Sequence, residues 1–261
     1  MIQHLSAIWK FRHFLMALVK LDLRLRYRRS VLGIGWSLLK PLSMTAVFAT
    51  VFSGMLGGGD IARYVPHLLI GMAVWEFLRE CVVTGCKSLV QSESYIRQSP
   101  LPYGIYPLRT VFGQAIHSLI ALGVALVATF YYRPDTNPLG LLYAVPGLVL
   151  MFLTAWAAAT IFSFLNVYFQ DTSHLLEVGA QIVFFLSPIM YLPELLAAKG
   201  MQWLMDINPV ALFMELIRAP IMEGTAPSAM LLASGLGFAA LMGLLAAGTT
   251  AWLQKRVIFH L

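Results

Sequence analysis

From Lys20 the chain reads KLDLRLRYRRSVLGIGWSLLKPLSMTAVFATVFSGML. Lys20, Arg24, Arg26, Arg28 and Arg29 crowd around one acid, Asp22, and from Trp36 to Leu56 the only charge is Lys40. A helix of about 20 apolar residues crosses the hydrocarbon core of a bilayer, and a basic cluster beside it stays on the cytoplasmic face. The cluster is therefore expected inside, with a first span running outward. Composition agrees: 59% of the residues are hydrophobic and 11% charged, where soluble domains carry about 25% charged residues. Mean hydropathy is +0.76. The net charge of +6 sits in short segments beside apolar runs. That is a juxtamembrane pattern suited to anionic lipid, and it argues against a nucleic-acid surface. Cys81 and Cys86 both fall in an apolar segment, so no disulfide framework or zinc spacing is expected. The early apolar patch Phe14–Val19 is too short for a signal-peptide core.

The remaining chain reads as an all-α membrane protein with six spans, preceded by an amphipathic interfacial helix. Over residues 5–19, Leu5, Ile8, Trp9, Leu15, Met16 and Val19 share one side of a helix and Ser6, Lys10, His13 and Lys20 another. Such a helix lies in the headgroup region. Leu21 to Arg28 alternates like a strand, but a strand beside lipid leaves backbone groups unpaired, so a continued helix is expected. Residues 1–35 form this cytoplasmic segment and 36–261 the six-span domain. Spans are expected at about Trp36–Leu56, Val65–Leu89, Gly104–Tyr132, Leu139–Asn166, Leu176–Leu192 and Ser228–Leu253. Two short apolar stretches, 195–205 and 210–222, predict an outer re-entrant or interfacial helical hairpin between spans 5 and 6. The inner loops are Ser92–Pro102 and Val167–Leu175. On this layout 12 of the 18 Lys/Arg lie on or at the edge of the inner side, including Lys87, Arg97, Lys255 and Arg256. Both termini are then cytoplasmic.

The chemistry such a chain can carry is limited. There is no Gly-Lys pair and so no phosphate-cradling loop; ATP, if it drives this protein, binds another chain. The six histidines are scattered, with no paired metal spacing, and no G-x-S-x-G occurs. Catalysis by this chain is not expected. Glu76, Arg79 and Glu80 stand inside a span, where charges face protein or a wet cavity. They suit the lining of a polar pathway, and equally an i,i+3 ion pair between Glu76 and Arg79 that locks helix packing. Trp36, Phe48, Phe52, Trp75, Phe184, Phe185 and Tyr191 suit stacking surfaces for sugar rings; aromatic belts and lipid-facing filler account for the same residue types. The inner loops are either plain connections or docking points for a cytoplasmic ATPase.

The run Asp22-Leu-Arg-Leu-Arg-Tyr-Arg-Arg-Ser-Val-Leu-Gly33, followed by Trp36-Ser-Leu-Leu and Pro41, resembles the opening of type-2 ABC exporter permeases that move polysaccharides. Arg97…Pro102 with Pro107, Tyr168-Phe-Gln-Asp171, Ser187-Pro-Ile-Met-Tyr191, and Asn208-Pro209 with Glu215 and Arg218 extend the resemblance over the chain. It departs at Lys40, where an Asn often precedes the proline, and at Gln170, where an Arg commonly precedes the Asp. The resemblance implies two copies of this subunit, two cytoplasmic nucleotide-binding ATPase subunits carrying ATP and Mg, and a conduit between the permeases. It implies coupling loops, with Tyr95, Arg97, Gln98, Asp171 and His174 the contact candidates, and an outer gate formed by the hairpin. The expected cargo is a lipid-linked glycan, O-antigen above capsule or teichoic acid, crossing a bacterial inner membrane. An exporter of small hydrophobic drugs and a membrane-embedded glycan transferase remain the alternatives.

Overall fold

The computed structural model describes residues 9–26, 28, 30–56, 59–98 and 101–261. Leu5, Ile8 and Arg29 lie outside these residues. Every regular element among those described is helical. In chain order they are α1 (Arg12–Arg26), α2 (Trp36–Leu56), α3 (Ile61–Val83), α4 (Ser88–Gln91), α5 (Glu93–Gln98), α6 (Ile105–Tyr132), α7 (Gly140–Tyr168), α8 (Thr172–Leu186), α9 (Pro193–Ala198), α10 (Trp203–Ile207), α11 (Pro209–Glu223) and α12 (Ala229–Leu253).

The segment that alternates in sequence is helical through Arg26. Leu15 and Val19 of α1 are buried against Ile105 and Leu108 of α6, and Leu18 is buried as well. Trp9, Phe14, Met16, Leu21 and Leu25 remain exposed. The apolar face is thus divided: one stripe grips the protein and the rest is free to meet lipid, as an interfacial helix requires.

Among the described residues, four stretches are long and apolar enough to cross a membrane: Gly33–Met55, Ile105–Tyr132, Gly140–Tyr168 and Ala229–Leu253. The other two expected spans differ in kind. α3 is 23 residues long but carries Arg63, Glu76, Arg79 and Glu80. It is the most enclosed of the long helices, buried from Pro66 through Trp75. Neighbours on several sides, α2, α6, α7 and α11, shield it, which is how a charged helix is kept from lipid. α8 is apolar but has 15 residues. It ends at Leu186, six residues short of the expected limit, because Pro188 lacks an N–H and forces Ser187 out of helical geometry, to φ −98° and ψ 145°. α3 likewise stops at Val83, before Leu89. The chain turns through a 3₁₀ segment, Gly85–Lys87, into α4.

The segment between α8 and α12, expected to face outward, holds three helices where two were expected. α11 is the substantial one, with Pro209 at its first position and Asn208 as its cap. Ten of its residues, from Val210 to Met222, are buried, so it is a packed member of the bundle. It crosses α7 at Gly147, where a Cβ would come within 2.9 Å of the Leu216 carbonyl oxygen. Glycine is what lets these two backbones touch.

Candidate functional site

At the end of the bundle expected to face inward, α2, α3 and α6 enclose a cavity of about 220 Å³ lined by Trp36, Lys40, Glu76, Glu80, Gln114 and His117, among others. The Glu76–Arg79 pair that spacing allows does not form. Lys40 reaches across from α2 to Glu76, and Arg79 turns to its neighbour Glu80, which also accepts from the Thr84 hydroxyl at 2.9 Å. The lysine that departs from the family pattern therefore has a partner on another helix. Ser37 Oγ lies 3.0 Å from His117 Nδ1, and Arg26 donates to Gln114 Oε1 at 3.3 Å. The result is a charged groove in the inner half of an apolar bundle. Lys40 is 55% exposed at its side chain and Glu76 31%. Neither is sealed off from a passing ligand.

At the opposite end, expected to face outward, the non-helical run Ser187–Leu192 must place its carbonyls without a helix to receive them, and an unpaired carbonyl in a membrane protein interior is costly. Four side chains from other segments meet it. Asn208 Nδ2 donates to the Leu186 carbonyl (3.3 Å) and to Ser187 Oγ (2.8 Å). Arg218 Nη1 donates to Pro188 O at 3.0 Å, the Tyr64 hydroxyl donates to Met190 O, and His67 Nε2 donates to Tyr191 O at 3.1 Å. Gly71 makes room: a Cβ there would stand 2.4 Å from Arg218 Nη2, while the nearest backbone atoms, of Ile189, are at 3.5 Å or beyond. Ser187-Pro-Ile-Met-Tyr, Asn208-Pro209 and Arg218, far apart in the chain, thus close one carbonyl clamp. Arg63 of α3 also reaches Glu194 of α9, tying the clamp to the outer helices. Sequence reasoning missed Tyr64 and His67. The signal was present, because a proline-broken span obliges donors elsewhere in the chain.

The aromatics are divided by their surroundings. Trp36 is 54% exposed at the mouth of the inner groove. Phe48 and Phe52 sit one turn apart on α2, rings 5.9 Å apart. Trp75 is buried, 5.6 Å from Phe184, which in turn meets Phe185 edge-on at 5.3 Å. Tyr191 is half-buried, with its backbone engaged by His67. The structure does not gather the seven into one surface.

On the side expected to face inward, Arg97, Gln98, Asp171 and His174 are exposed; Arg97 pairs with Glu93 at 2.8 Å. Tyr95 turns inward instead. It packs on a cluster of Leu89, Ile96, Tyr106, Phe164, Val167 and Val257 that joins both inner loops to the 254–261 segment. The Arg109 guanidinium lies 5.9 Å from the centre of the Tyr95 ring and grips Asp22 with two donors. The lone acid of the basic cluster thus pins α1 to α6, next to the first inner loop. Arg24 and Arg28 are exposed, and Arg26 bridges to α6.

The sequence matches the ABC-2 type transporter family over residues 13–222. It is 26% identical over 212 residues to an O-antigen export system permease protein of Klebsiella pneumoniae, covering 81% of each chain. A second Klebsiella pneumoniae protein of that name is 25% identical, with 80% of each covered. A Myxococcus xanthus protein of that name is 24% identical over 231 residues, 88% of each. All three are named as permease proteins of an O-antigen export system. With its apolar bundle, its charge-bearing central helix and a family match over most of its length, this chain belongs to the ABC-2 type transporter family.

Proposed function

We propose that this chain is the membrane-spanning subunit of an ATP-driven exporter that carries a lipid-linked polysaccharide, of the O-antigen type, out across a bacterial inner membrane. It works as a homodimer with two cytoplasmic nucleotide-binding subunits, which supply ATP and Mg; it is not itself an enzyme. Six helices cross the bilayer, α3 and α8 within the shelter of the others, and both termini are cytoplasmic. The observation that carries the reading is the inner groove of Lys40, Glu76, Glu80 and Gln114 with Trp36 at its mouth. A hydrophilic polymer needs such polar, exchangeable contacts and flat apolar surfaces. A small hydrophobic drug has no use for a groove bearing four charged side chains, Arg26, Lys40, Glu76 and Glu80, so the drug-exporter reading is less well supported. The exposed faces of α2 (Leu39, Val47, Val51) and α8 (Val178, Ile182, Phe185) suit a second copy or a conduit wall. Arg97, Gln98, Asp171 and His174 form the ATPase-facing surface.

Deleting the gene in its own host tests this. The lipid-linked glycan should accumulate inside while surface glycan disappears, and the chain should co-purify with an ATPase encoded beside it. Charge reversal at Arg97 or Asp171 should reduce surface glycan and unlink ATP hydrolysis from transport, with normal membrane insertion. Undiminished surface glycan in the deletion strain would overturn the proposal.

A further inference from the structure

A second cavity, of about 280 Å³, lies beneath α1 and adjoins the inner groove. Asp22, Leu23 and Arg26 of α1 cover it; Thr84, Ser88, Gln91 and Ser92 form one wall, and Tyr106, Arg109, Thr110, Gly113, Gln114 and His117 of α6 the other. Arg26, Gln114 and His117 also line the inner groove, so the Arg26–Gln114 hydrogen bond stands at the junction of the two.

The lining has a specific chemistry. Five hydroxyls, two carboxamides and an imidazole surround a single ion pair, Asp22–Arg109. Ser88 is 4% exposed and Tyr106 1%. Both hydroxyls are without a hydrogen-bond partner among the described residues and are closed to water in this conformation. Engaging a ligand therefore requires each side chain to turn toward the cavity. A buried, unpaired polar group costs about 1–3 kcal/mol, and a phenylalanine and an alanine would fill the same positions without that cost. Hydroxyls and amides both donate and accept, as the hydroxyls of a sugar do. A phosphate or diphosphate accepts only and demands donors and positive charge. Among the described residues, Asp22 offsets Arg109, and Arg26 is held by the Gln114 carboxamide oxygen. In the adjoining groove Lys40 is offset by Glu76. The volume is several times the roughly 30 Å³ share of a water molecule in the liquid.

We propose that this cavity is a sugar-binding subsite within each subunit, which holds one neutral sugar unit of the cargo at the cytoplasmic side. The inference rests on the glycan-export reading for its ligand class. Its position gives it a further consequence. Arg109 touches both the cavity and the Tyr95 ring, so an occupied cavity bears directly on the first inner loop.

The test uses the full chain in lipid nanodiscs, with cysteine placed at Thr110 in one variant and at Gln91, on the exposed rim, in another. Labelling by a small thiol reagent is timed with methyl glycosides of glucose, galactose, mannose and N-acetylglucosamine, with an acid hydrolysate of the host's own surface glycan, and with inorganic pyrophosphate. The expected result is about fivefold slower labelling with the hydrolysate and with at least one glycoside, the slowing given by ligand at about four times its dissociation constant. Tyr106→Phe should leave thermal stability unchanged or higher, because the lost hydroxyl has no partner among the described residues, yet relieve that protection. Protection by pyrophosphate alone would make this an anion site, and ready labelling under every condition would make it a water-filled cavity; either overturns the proposal. The two readings fail separately. A deletion strain that loses surface glycan while sugars give no protection removes the subsite and leaves the exporter. Sugar protection with surface glycan intact does the reverse.

Discussion

The outer clamp makes its sharpest prediction at Gly71. A Cβ at that position would sit 2.4 Å from Arg218 Nη2, whereas its next neighbours, the carbonyl oxygen and Cα of Ile189, are at 3.5 and 3.6 Å, which is ordinary contact. Gly71→Ala therefore has one conflict, with the guanidinium, and resolves it by pushing Arg218 away from the Pro188 carbonyl. Losing a buried hydrogen bond from a charged donor costs about 1.5–3 kcal/mol. Replacing glycine by alanine inside a helix returns up to about 1 kcal/mol. The substitution should thus destabilise by about 0.5–2 kcal/mol. In an Arg218→Met background the obstacle is gone, and the same substitution should be neutral or stabilising by up to about 1 kcal/mol. The coupling in the double-mutant cycle is then about 2 kcal/mol. Thermal unfolding of the four proteins in one detergent reads it, at about 2–4 °C per kcal/mol for a chain of this size. Additive effects, or a Gly71→Ala protein more stable than the parent while Arg218 is present, would refute the clamp geometry.

Other outcomes follow from individual contacts. Asn208→Ala removes the cap of α11 and both donors to the broken run, and should cost about 2–4 kcal/mol in thermal unfolding; Asn208→Asp keeps the acceptor to the Val210 N–H but turns an oxygen toward the Leu186 carbonyl, so it should recover no more than the cap. Trp36→Ala should cut surface glycan while the chain still assembles with its ATPase, and Trp36→Phe should largely preserve export because a flat face remains. Tyr191→Phe should export normally, because the residue's strongest link is its backbone carbonyl. Partial burial raises the Glu194 pKa, but hydrogen bonds from its own backbone N–H and from Arg63 outweigh that and hold the carboxyl below its usual range. A depressed carboxylate stabilises above its unfolded pKa and loses that contribution as pH falls through the folded one. Glu194→Gln should therefore lower thermal stability slightly at neutral pH, and the difference should vanish in acid.

Much of this architecture was legible in the sequence, because a bilayer permits few backbone solutions. The spans at Trp36–Leu56, Gly104–Tyr132, Leu139–Asn166 and Ser228–Leu253 were placed to within one or two residues, since apolar length alone defines them. α1 was read correctly as helix over an alternating pattern, because solvation of the backbone outweighs side-chain alternation beside lipid. The errors fall where local signals compete. Leu186 ends α8 because Pro188 acts on the residue before it, which hydropathy does not register. α11 reads in isolation as an interfacial helix, yet buries ten residues, because small residues on α7 admit its backbone. The site was legible in part. Trp36 and Glu76 do share a groove, whereas the partner of Glu76 is Lys40, 36 positions away, and not Arg79. Local spacing supplies candidates within one helix; it says nothing of which neighbouring helix arrives opposite. Asp22–Arg109 and the Tyr64 and His67 donors were missed for the same reason.

The central claim is transport of a glycan outward, driven by ATP bound to another chain. Its most direct test is reconstitution of this chain with its ATPase in proteoliposomes, with ATP-binding sites facing out and fluorescent lipid-linked glycan, extracted from the deletion strain, in the outer leaflet. Addition of ATP and Mg should move the glycan into the lumen, where an added glycosidase no longer reaches it. The protected fraction should grow with time, and should not grow without ATP or with an ATPase-dead partner. Protection that is equal with and without ATP, or ATP-driven uptake of a hydrophobic dye while the glycan stays accessible, would contradict the account.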